Sequence, residues 1–189
     1  TEILNIAIGN STGPVPSLDA FSNVACAGGL NGSATITVAG GTGPYQYSLD
    51  AINFQASNTF TLAAGNYTVT VQDFNLCTGD VTFDIIEPAP LTFNATPTDA
   101  LCFNDCNGVI DIAITTPLAQ QSPPYTYSSN NGATFQASNS LAGLCAGNIN
   151  VVVKDNSGCL ANVTTPIGEP TLLTSVFTFT EPSCFGICD

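Results

Sequence analysis

The eight cysteines are the residues whose type and spacing could support chemistry most directly. Thiols at this density form disulfides in oxidising, extracellular environments, or bind metal ions as thiolates. The chain contains no histidine, which excludes a Cys/His zinc site. Two Cys-x3-Cys spacings, at 102/106 and 184/188, could still supply the four thiolates of a zinc site without histidine. The sequence therefore favours disulfides.

The positions of the cysteines follow an internal repeat, which indicates tandem units of about 80 residues. The run Gly-Asn-Tyr-Thr-Val-Thr-Val-Gln-Asp that precedes Cys77 returns in related form 82 residues later, before Cys159. Cys26 and Cys77 are the cysteines of the first unit, and Cys102 and Cys159 take the same places in the second. We therefore predict the disulfides Cys26–Cys77 and Cys102–Cys159.

The remaining four cysteines extend this pattern. Cys106 and Cys145 have no cysteine counterparts in the first unit, and two positions that gain cysteine together are expected to be in contact, so we predict a Cys106–Cys145 bridge. Cys184 and Cys188 match the Cys-x3-Cys pair of the second unit and mark the start of a third. Their natural partners would lie beyond the last residue; otherwise they pair with each other or stay free.

Alternating apolar and polar residues predict that β-strands position these cysteines. Residues 34–38, 67–71, 81–85, 110–114 and 149–153 follow this pattern, which is typical of antiparallel strands with one buried face. Turn signals rich in Gly, Asn and Pro separate the runs, and no helical pattern occurs. We predict an all-β fold of tandem immunoglobulin-like β-sandwich repeats, stapled by disulfides. The chain has no Trp, so the likeness to antibody domains is one of architecture.

The repeat divides the chain into four segments: residues 1–15, possible last strand of a preceding repeat; residues 16–90, unit 1; residues 91–172, unit 2; and residues 173–189, the start of a third repeat. Proline follows Glu87 and Glu169 at the junctions and restricts the backbone there, so we expect a semi-rigid rod. The open ends have two explanations. The chain is an excerpt from a long array, or it is a subunit whose ends complete each other head to tail by strand addition, forming a filament.

The charge balance excludes several classes of partner. Lys154 is the single basic residue against 14 acidic ones, which gives a net charge of −13. Nucleic-acid binding requires a basic face, so no nucleic-acid partner is predicted, and anionic membrane surfaces are disfavoured for the same reason. No apolar stretch approaches the length of a spanning helix, so direct membrane insertion is not predicted. The partners we expect are neighbouring repeats or like subunits, and possible surface polysaccharide.

Calcium is the one cofactor that we consider. Asp73 and Asp155 occupy equivalent positions before a turn into a cysteine, and Glu87 and Glu169 occupy equivalent junctions. Carboxylates and turn carbonyls are the ligands that calcium prefers. The alternative for Asp73 and Asp155 is that each side chain caps its turn, and the sequence favours this alternative.

Four tyrosines offer a second candidate ligand site. Tyr45 and Tyr47 alternate along the first unit, and Tyr125 and Tyr127 alternate along the second. Paired aromatic rings on one face can form a platform for a glycan. The alternative, which the pattern favours, is that these rings pack into the core or support an adjacent loop.

The sequence lacks the residues that enzymes most often use for catalysis. Without His, a Ser or Cys nucleophile has no common general base. Asp80 and Asp84 share a strand face and are the nearest approach to a glycosidase carboxylate pair, but a solvated polar face is favoured. An isopeptide crosslink would require a lysine in each unit, and unit 1 has Gln72 where unit 2 has Lys154. We therefore predict that the protein is not an enzyme.

The order of motifs in unit 1 resembles the SprB repeat. The motifs are Cys26, the Gly-Gly-Thr-Gly-Pro-Tyr-Gln-Tyr-Ser run at 40–48, the run that ends at Asp73, Cys77, and Ile-Glu-Pro at 86–88. Unit 2 keeps most of them but replaces the glycine-rich turn. The family is named for a very large cell-surface adhesin of gliding bacteria. The resemblance implies surface display, adhesion and gliding motility, commonly with export by the type IX route.

These observations lead to a non-enzymatic, secreted repeat protein at the cell surface. We predict that it forms an extended adhesin stalk. One alternative is a self-assembling extracellular filament subunit, joined head to tail by strand complementation. The other is a carbohydrate-binding module, which depends on the tyrosines alone.

Overall fold

The computed structural model describes residues 12–117 and 122–178 of the 189-residue chain. In these ranges the chain forms β-strands and no helix, so the predicted all-β fold is confirmed. No helix that could span a membrane occurs in the same ranges. The strands of unit 1 are β1 (Val15–Ser22), β2 (Gly32–Ala39), β3 (Gln46–Ser48), β4 (Thr59–Leu62), β5 (Gly65–Gln72) and β6 (Thr78–Ile85). Those of unit 2 are β7 (Phe93–Thr98), β8 (Gly108–Ile114), β9 (Thr126–Ser128), β10 (Ser140–Leu144), β11 (Gly147–Lys154) and β12 (Leu160–Ile167).

Each unit is a sandwich of two three-stranded antiparallel sheets. Unit 1 has sheets of order β1-β2-β4 and β3-β5-β6, and unit 2 repeats the arrangement as β7-β8-β10 and β9-β11-β12. The predicted tandem β-sandwich is confirmed. Strands β3 and β4 are short and together form one traverse of the unit, since β3 pairs with β5 in one sheet and β4 pairs with β2 in the other.

The alternation of residue types explains which strand faces are buried. In β5, Val69 and Val71 are fully buried. Asn66 and Thr68, which lie nearer the start of the strand, face solvent. The polar side chains on the outer face bond across the hairpin: Thr70 donates to Asp80 and Asn66 donates to Asp84. One face therefore supplies apolar burial and the other supplies cross-strand hydrogen bonds.

The two cores use corresponding positions. Each core contains the same residue type at equivalent positions of the repeat: Ile36 and Ile112, Val69 and Val151, Val71 and Val153, and Ile85 and Ile167. Close approach between the sheets also requires glycine at matching places, Gly32 and Gly108. A Cβ on Gly32 would lie 2.7 Å from Ile85, and one on Gly108 would lie 2.7 Å from Ile167. Each unit thus packs its own core by the same scheme.

The repeated Phe-Gln-Ala-Ser-Asn run has a structural role in both units. The side chain of Asn58 donates to the carbonyl oxygen of Ile36 at 2.9 Å, and Asn139 donates to Ile112 at 2.9 Å. These amides fasten the turn before β4 or β10 to the neighbouring strand. The repeat offset is 81 residues at this run and 82 farther along, so unit 2 has one extra residue between these points. That residue lies in β10, whose pairing with β8 shifts between Ala142 and Leu144, at Gly143 with a φ of 76°.

Parts of the predicted domain division lie outside the described residues. These parts are most of the leading segment 1–15 and most of the third-repeat segment 173–189, with Cys184 and Cys188. Strand β1 begins at Val15, one residue before the predicted start of unit 1. The unit boundaries themselves stay predictions.

We expect Ile36→Ala to lower the free energy of unfolding of unit 1 by about 2–5 kcal/mol, because it removes a fully buried side chain and leaves a cavity. Ile52→Ala is the matched control, since Ile52 is 80% exposed and should change stability by about 0.5 kcal/mol or less. Urea unfolding of both variants measures the difference. Equal losses in the two variants would contradict the assignment of the core.

Candidate functional site at the ends of the units

Each unit has two ends that carry cysteines. We call the end with the β5–β6 turn, residues 73–77, the upper end of unit 1, and the end with the β1–β2 loop, residues 23–31, its lower end. In unit 2 the upper end is the β11–β12 turn, residues 155–159, and the lower end is the β7–β8 loop, residues 99–107. Every cysteine of the repeat that the structure describes lies at one of these ends or beside it.

An aspartate caps the turn at both upper ends. Oδ1 of Asp73 accepts a hydrogen bond from the amide of Cys77 at 2.8 Å, and Oδ1 of Asp155 accepts one from Cys159 at 2.8 Å. In unit 1 the amides of Asn75 and Thr42 also donate to Asp73. Burial raises the pKa of Asp73, but these three backbone donors lower it by more, so the pKa lies below its ordinary value.

A glutamate fastens the loop at both lower ends. Oε2 of Glu87 accepts from the amide of Gly28 at 2.6 Å, and Oε2 of Glu169 accepts from the amide of Asn104 at 2.7 Å. Inside each loop an asparagine accepts from the amide next to the cysteine: Asn31 from Ala25, and Asn107 from Leu101. Sequence reasoning missed these two asparagines, although their spacing of 76 residues is the same as that of Cys26 and Cys102.

The four acidic residues proposed for calcium do not form a common site. Asp73 lies at the upper end of unit 1 and Glu169 at the lower end of unit 2, whereas Glu87 and Asp155 lie at the two ends that meet at a disulfide between the units. Each carboxylate accepts a backbone hydrogen bond. Within residues 12–117 and 122–178 no group of three or more potential acidic or thiolate ligands could hold a metal ion. The geometry fits the turn-capping alternative for Asp73 and Asp155.

The disulfide at Cys26 differs from the prediction and joins the two units. Cys26, at the lower end of unit 1, is bonded to Cys159, at the upper end of unit 2, with a Cα–Cα distance of 5.5 Å. The predicted pairs Cys26–Cys77 and Cys102–Cys159 are therefore wrong. Each would connect opposite ends of one unit, which are separated by an eight-residue strand, a length of about 24 Å. A disulfide spans at most about 7 Å between Cα atoms.

The other described cysteines complete the pattern. Cys106 is bonded to Cys145, which is the pair expected from their joint appearance in unit 2. Cys77, at the upper end of unit 1, and Cys102, at the lower end of unit 2, are free thiols. Cys77 is the counterpart of Cys159 and Cys102 is the counterpart of Cys26, so the free thiols occupy the same positions as the bonded pair.

Residues of both units meet around the Cys26–Cys159 bond. The sulfur of Cys159 lies 3.3 Å from the carbonyl oxygen of Ala25. A cavity of about 50 Å³ remains, and its walls include Ala27, Pro88, Tyr125 and Asp155. Two covalent connections therefore cross the junction, the disulfide and the proline-containing linker, and residues of both units line the cavity beside them.

The tyrosines do not form a paired surface platform. Tyr47 and Tyr127 are buried in the cores, with 8% of their surfaces exposed, and burial raises the pKa of both hydroxyls, with a further contribution from the adjacent Tyr45 and Tyr125. Tyr45 packs against the core of unit 1 and donates its hydroxyl to the carbonyl oxygen of Gly40 at 2.6 Å. The rings thus serve the core and the adjacent loop.

The remaining candidates for chemistry have structural partners. Asp80 and Asp84 lie four residues apart on β6, about 13 Å, which exceeds the carboxylate separation of glycosidases. Lys154 places its ammonium group 4.5 Å from the centroid of the Phe135 ring. The single basic side chain of the protein therefore takes part in a cation–π interaction.

Comparison with known proteins gives one family match. Residues 18–54 match the family model of the SprB repeat. The predicted resemblance is confirmed over this segment. No curated protein matches the chain. The segment covers β1 to β3 of unit 1 and includes Cys26 and the glycine-rich turn at 40–44.

Two solved structures show a partial likeness to the chain. One is surface layer protein SbsC, domains 4–9, with 11% identity and a TM-score of 0.33 over 88% of this chain and 32% of that chain. The other is S-layer protein SbsC, domains 4 and 5, with 10% identity and a TM-score of 0.33 over 84% of this chain and 99% of that chain. This chain thus spans about a third of the length of the first.

We expect Asp73→Asn to destabilise unit 1 at pH 7 and to have less effect in acid. Because the folded-state pKa of Asp73 is lowered, its stabilising contribution is complete above the unfolded value of about 3.9 and is lost as the pH falls through the folded-state pKa. Urea unfolding at pH 7 and pH 3 measures the effect. Asp19→Asn, at an exposed position on β1, is the control. A destabilisation of equal size at both pH values would contradict this account.

We also expect Cys106→Ser with Cys145→Ser to lower the stability of unit 2 by about 4 kcal/mol, because the bridge closes a loop with a sequence separation of 39. Urea unfolding followed by a probe of unit 2 measures the loss. Unit 1, which lacks this bridge, is the internal reference and should keep its midpoint. A shift of unit 1 with no shift of unit 2 would disprove the assignment.

Proposed function

We propose that this protein is a structural repeat segment of an extracellular cell-surface protein and that it forms part of an extended adhesin stalk. The observation that carries the proposal is the Cys26–Cys159 bond between consecutive units. A disulfide inside a unit stabilises that unit, whereas a disulfide between units restricts how they move relative to one another. Such a restraint suits a protein whose role is to hold a fixed, extended shape.

The family match and the disulfides support the location. The SprB repeat, whose family model matches residues 18–54, is named for a surface adhesin, and the two disulfides among the described residues are typical of oxidising environments. The single basic residue also leaves few sites for trypsin-like proteases, which suits a protein exposed outside the cell.

A filament subunit is the second candidate function. The free thiols of Cys77 and Cys102 lie at opposite extremes of the two-unit structure, which favours contacts with further units at both ends. Strand complementation is less favoured as the route. Segment 173–189 resembles the first strand of a unit, and in unit 1 that place is already occupied by β1. The burial of Tyr47 and Tyr127 argues against a carbohydrate-binding module.

Two measurements on the source cells test the proposal. Antibodies against this chain should label intact cells, and treatment of intact cells with a protease of broad specificity, which does not depend on basic residues, should remove the label. The mass of the native polypeptide, fully reduced and denatured, separates the candidates. A mass of hundreds of kilodaltons supports a stalk, whereas a mass near 19.3 kDa supports a filament subunit. Labelling only after the cells are broken open would disprove the surface location.

We expect Cys26→Ser with Cys159→Ser to loosen the junction while leaving both units folded, because each core is packed within its own unit. Small-angle X-ray scattering should show a broader distribution of long interatomic distances. Cys106→Ser with Cys145→Ser is the matched control, since it removes a bridge within one unit. Identical scattering from wild type and the Cys26/Cys159 variant would show that the disulfide does not restrain the junction.

A further inference from the structure

One outer face of unit 2 differs from the matching face of unit 1 at four neighbouring positions. On β11 and β12 the directly opposed pairs are Val152 with Asn162 and Lys154 with Leu160. On β5 and β6 the equivalent pairs are Thr70 with Asp80 and Gln72 with Thr78. Unit 2 therefore has apolar side chains in place of two threonines, an amide in place of a carboxylate, and the single basic side chain of the protein in place of a neutral amide.

The face of unit 1 satisfies its own polar groups, whereas that of unit 2 does not. In unit 1 the hydroxyl of Thr70 donates to Asp80 at 2.7 Å. In unit 2 a valine replaces the threonine, and the side-chain amide of Asn162 forms no hydrogen bond to another described residue. The ammonium of Lys154 faces an aromatic ring and has no carboxylate partner in residues 12–117 and 122–178. These polar groups are therefore available to a ligand.

The loop between β9 and β10 forms one wall of a groove over this face. The hydroxyl of Ser128 accepts from the amide of Gly132 at 3.0 Å, which holds the loop in place. A Cβ on Gly132 would lie 3.7 Å from the ring of Phe135 and 4.0 Å from Val152, so the loop lies against the strands. The groove has a volume of about 530 Å³, in the range of about 300–1,000 Å³ that small-molecule sites occupy. It therefore has the size of a ligand site.

We propose that this groove binds an acidic polysaccharide and that Lys154 contacts the carboxylate of a uronic acid residue. The protein carries 14 acidic residues, yet none of those that the structure describes lines the groove, whereas the one basic residue does. An ammonium that donates to a carboxylate forms a charge-assisted hydrogen bond, which is stronger than one between neutral groups. The groove therefore complements a negatively charged ligand, although the protein as a whole is strongly acidic.

A polysaccharide fits the groove better than a peptide does. Strand β11 pairs with β12 along its whole length and with β9 at residues 152–154, so the backbone beneath the groove already has its partners. Extended peptides bind sheets through main-chain hydrogen bonds at unpaired strand edges. The groove instead offers the side-chain amides of Asn131 and Asn162, which can donate to and accept from sugar hydroxyls. Leu160, which is 63% exposed, and Phe135 provide apolar surface for the carbon–hydrogen face of a sugar ring.

The inference rests on the proposed location outside the cell and deepens the proposed adhesive role. The groove is separate from the four tyrosines, and the residues that distinguish it occur in unit 2. Nucleic acids and anionic membranes present dense negative charge and are held by many basic residues. The groove has one cation among neutral side chains, which suits an isolated carboxylate between hydroxyl groups.

The first test uses the single lysine as a probe. The full chain, isotope-labelled in lysine, gives the NMR signals of one lysine side chain, because Lys154 is the only lysine. Titration with cellobiouronic acid, a disaccharide of glucuronic acid and glucose, should shift these signals until they saturate. Cellobiose, which has a CH₂OH group in place of the carboxylate, and a capped Ala-Glu-Ala peptide should shift them much less at the same concentration and ionic strength.

Three variants that each lower the net charge by one separate a local contact from a general charge effect. Lys154→Gln, which introduces the residue type of unit 1, should weaken binding of cellobiouronic acid by roughly tenfold or more, because it removes the donor to the carboxylate. Asn162→Asp, which introduces the carboxylate of unit 1, should also weaken it. Gln72→Glu, at the matching position of unit 1, is the control and should leave the affinity unchanged. Isothermal titration calorimetry measures the affinities, and circular dichroism checks that each variant is folded.

Three results would overturn the inference. They are an unchanged lysine spectrum in the presence of cellobiouronic acid, equal affinities for cellobiouronic acid and cellobiose, and equal weakening by Lys154→Gln and Gln72→Glu. Tighter binding of the peptide than of the disaccharide would reject the polysaccharide and assign the groove to an acidic protein segment.

The surface-labelling experiment distinguishes a failure of this inference from a failure of the proposed function. Labelled intact cells together with no binding of cellobiouronic acid would reject the ligand and leave the surface role intact. Binding of the disaccharide by a protein that is labelled only in broken cells would retain the groove as a binding site and reject the location.

Discussion

The length of a β-strand is the constraint on which the covalent structure of this protein depends. An eight-residue strand separates the upper from the lower end of each unit, and a disulfide reaches only a small fraction of that distance. Cysteines placed in the end turns are therefore unable to bond across their own unit. They can bond to a cysteine at the same end, as Cys106 and Cys145 do, or to one beyond the end, which at the internal junction belongs to the next unit. The sandwich core, which sets the strand length, thus also determines that the bond at Cys26 joins units.

The negative charges of the chain are compensated in the same end loops. With a net charge of −13 and one basic residue, the protein has almost no opportunity for ion pairs. The carboxylates of Asp73, Asp155, Glu87 and Glu169 instead accept hydrogen bonds from backbone amides at the ends of the units. Backbone donors compensate these charges locally and at the same time fix the loops that present the cysteines. The acidic residues therefore contribute to the geometry of the ends.

Much of the fold follows from the sequence, and the main error has a physical cause. Alternation along residues 67–71 and 149–153 predicts β5 and β11, and the joint gain of Cys106 and Cys145 predicts their contact. Repetition shows which positions correspond, but it does not show which end of a unit a position occupies. That depends on how often the chain crosses the unit. The short strands β3 and β4 share one crossing between two sheets, so the run from Cys26 to Cys77 ends opposite to where it begins. The asparagines that hold the lower loops carry no pattern beyond their spacing.

The bond between Cys26 and Cys159 has a mechanical consequence. A pulling force applied to the chain before residue 26 and after residue 159 passes from Cys26 directly to Cys159, and the intervening chain, with a sequence separation of 133, carries no tension. At about 3.4 Å per residue, this segment has a contour length of some 450 Å, and it cannot extend while the bond is intact. Even if both sandwiches opened under load, the molecule would lengthen only by its short terminal portions. A chain linked in this way is nearly inextensible while this disulfide is intact, and reduction of one bond would make it long and easily extended.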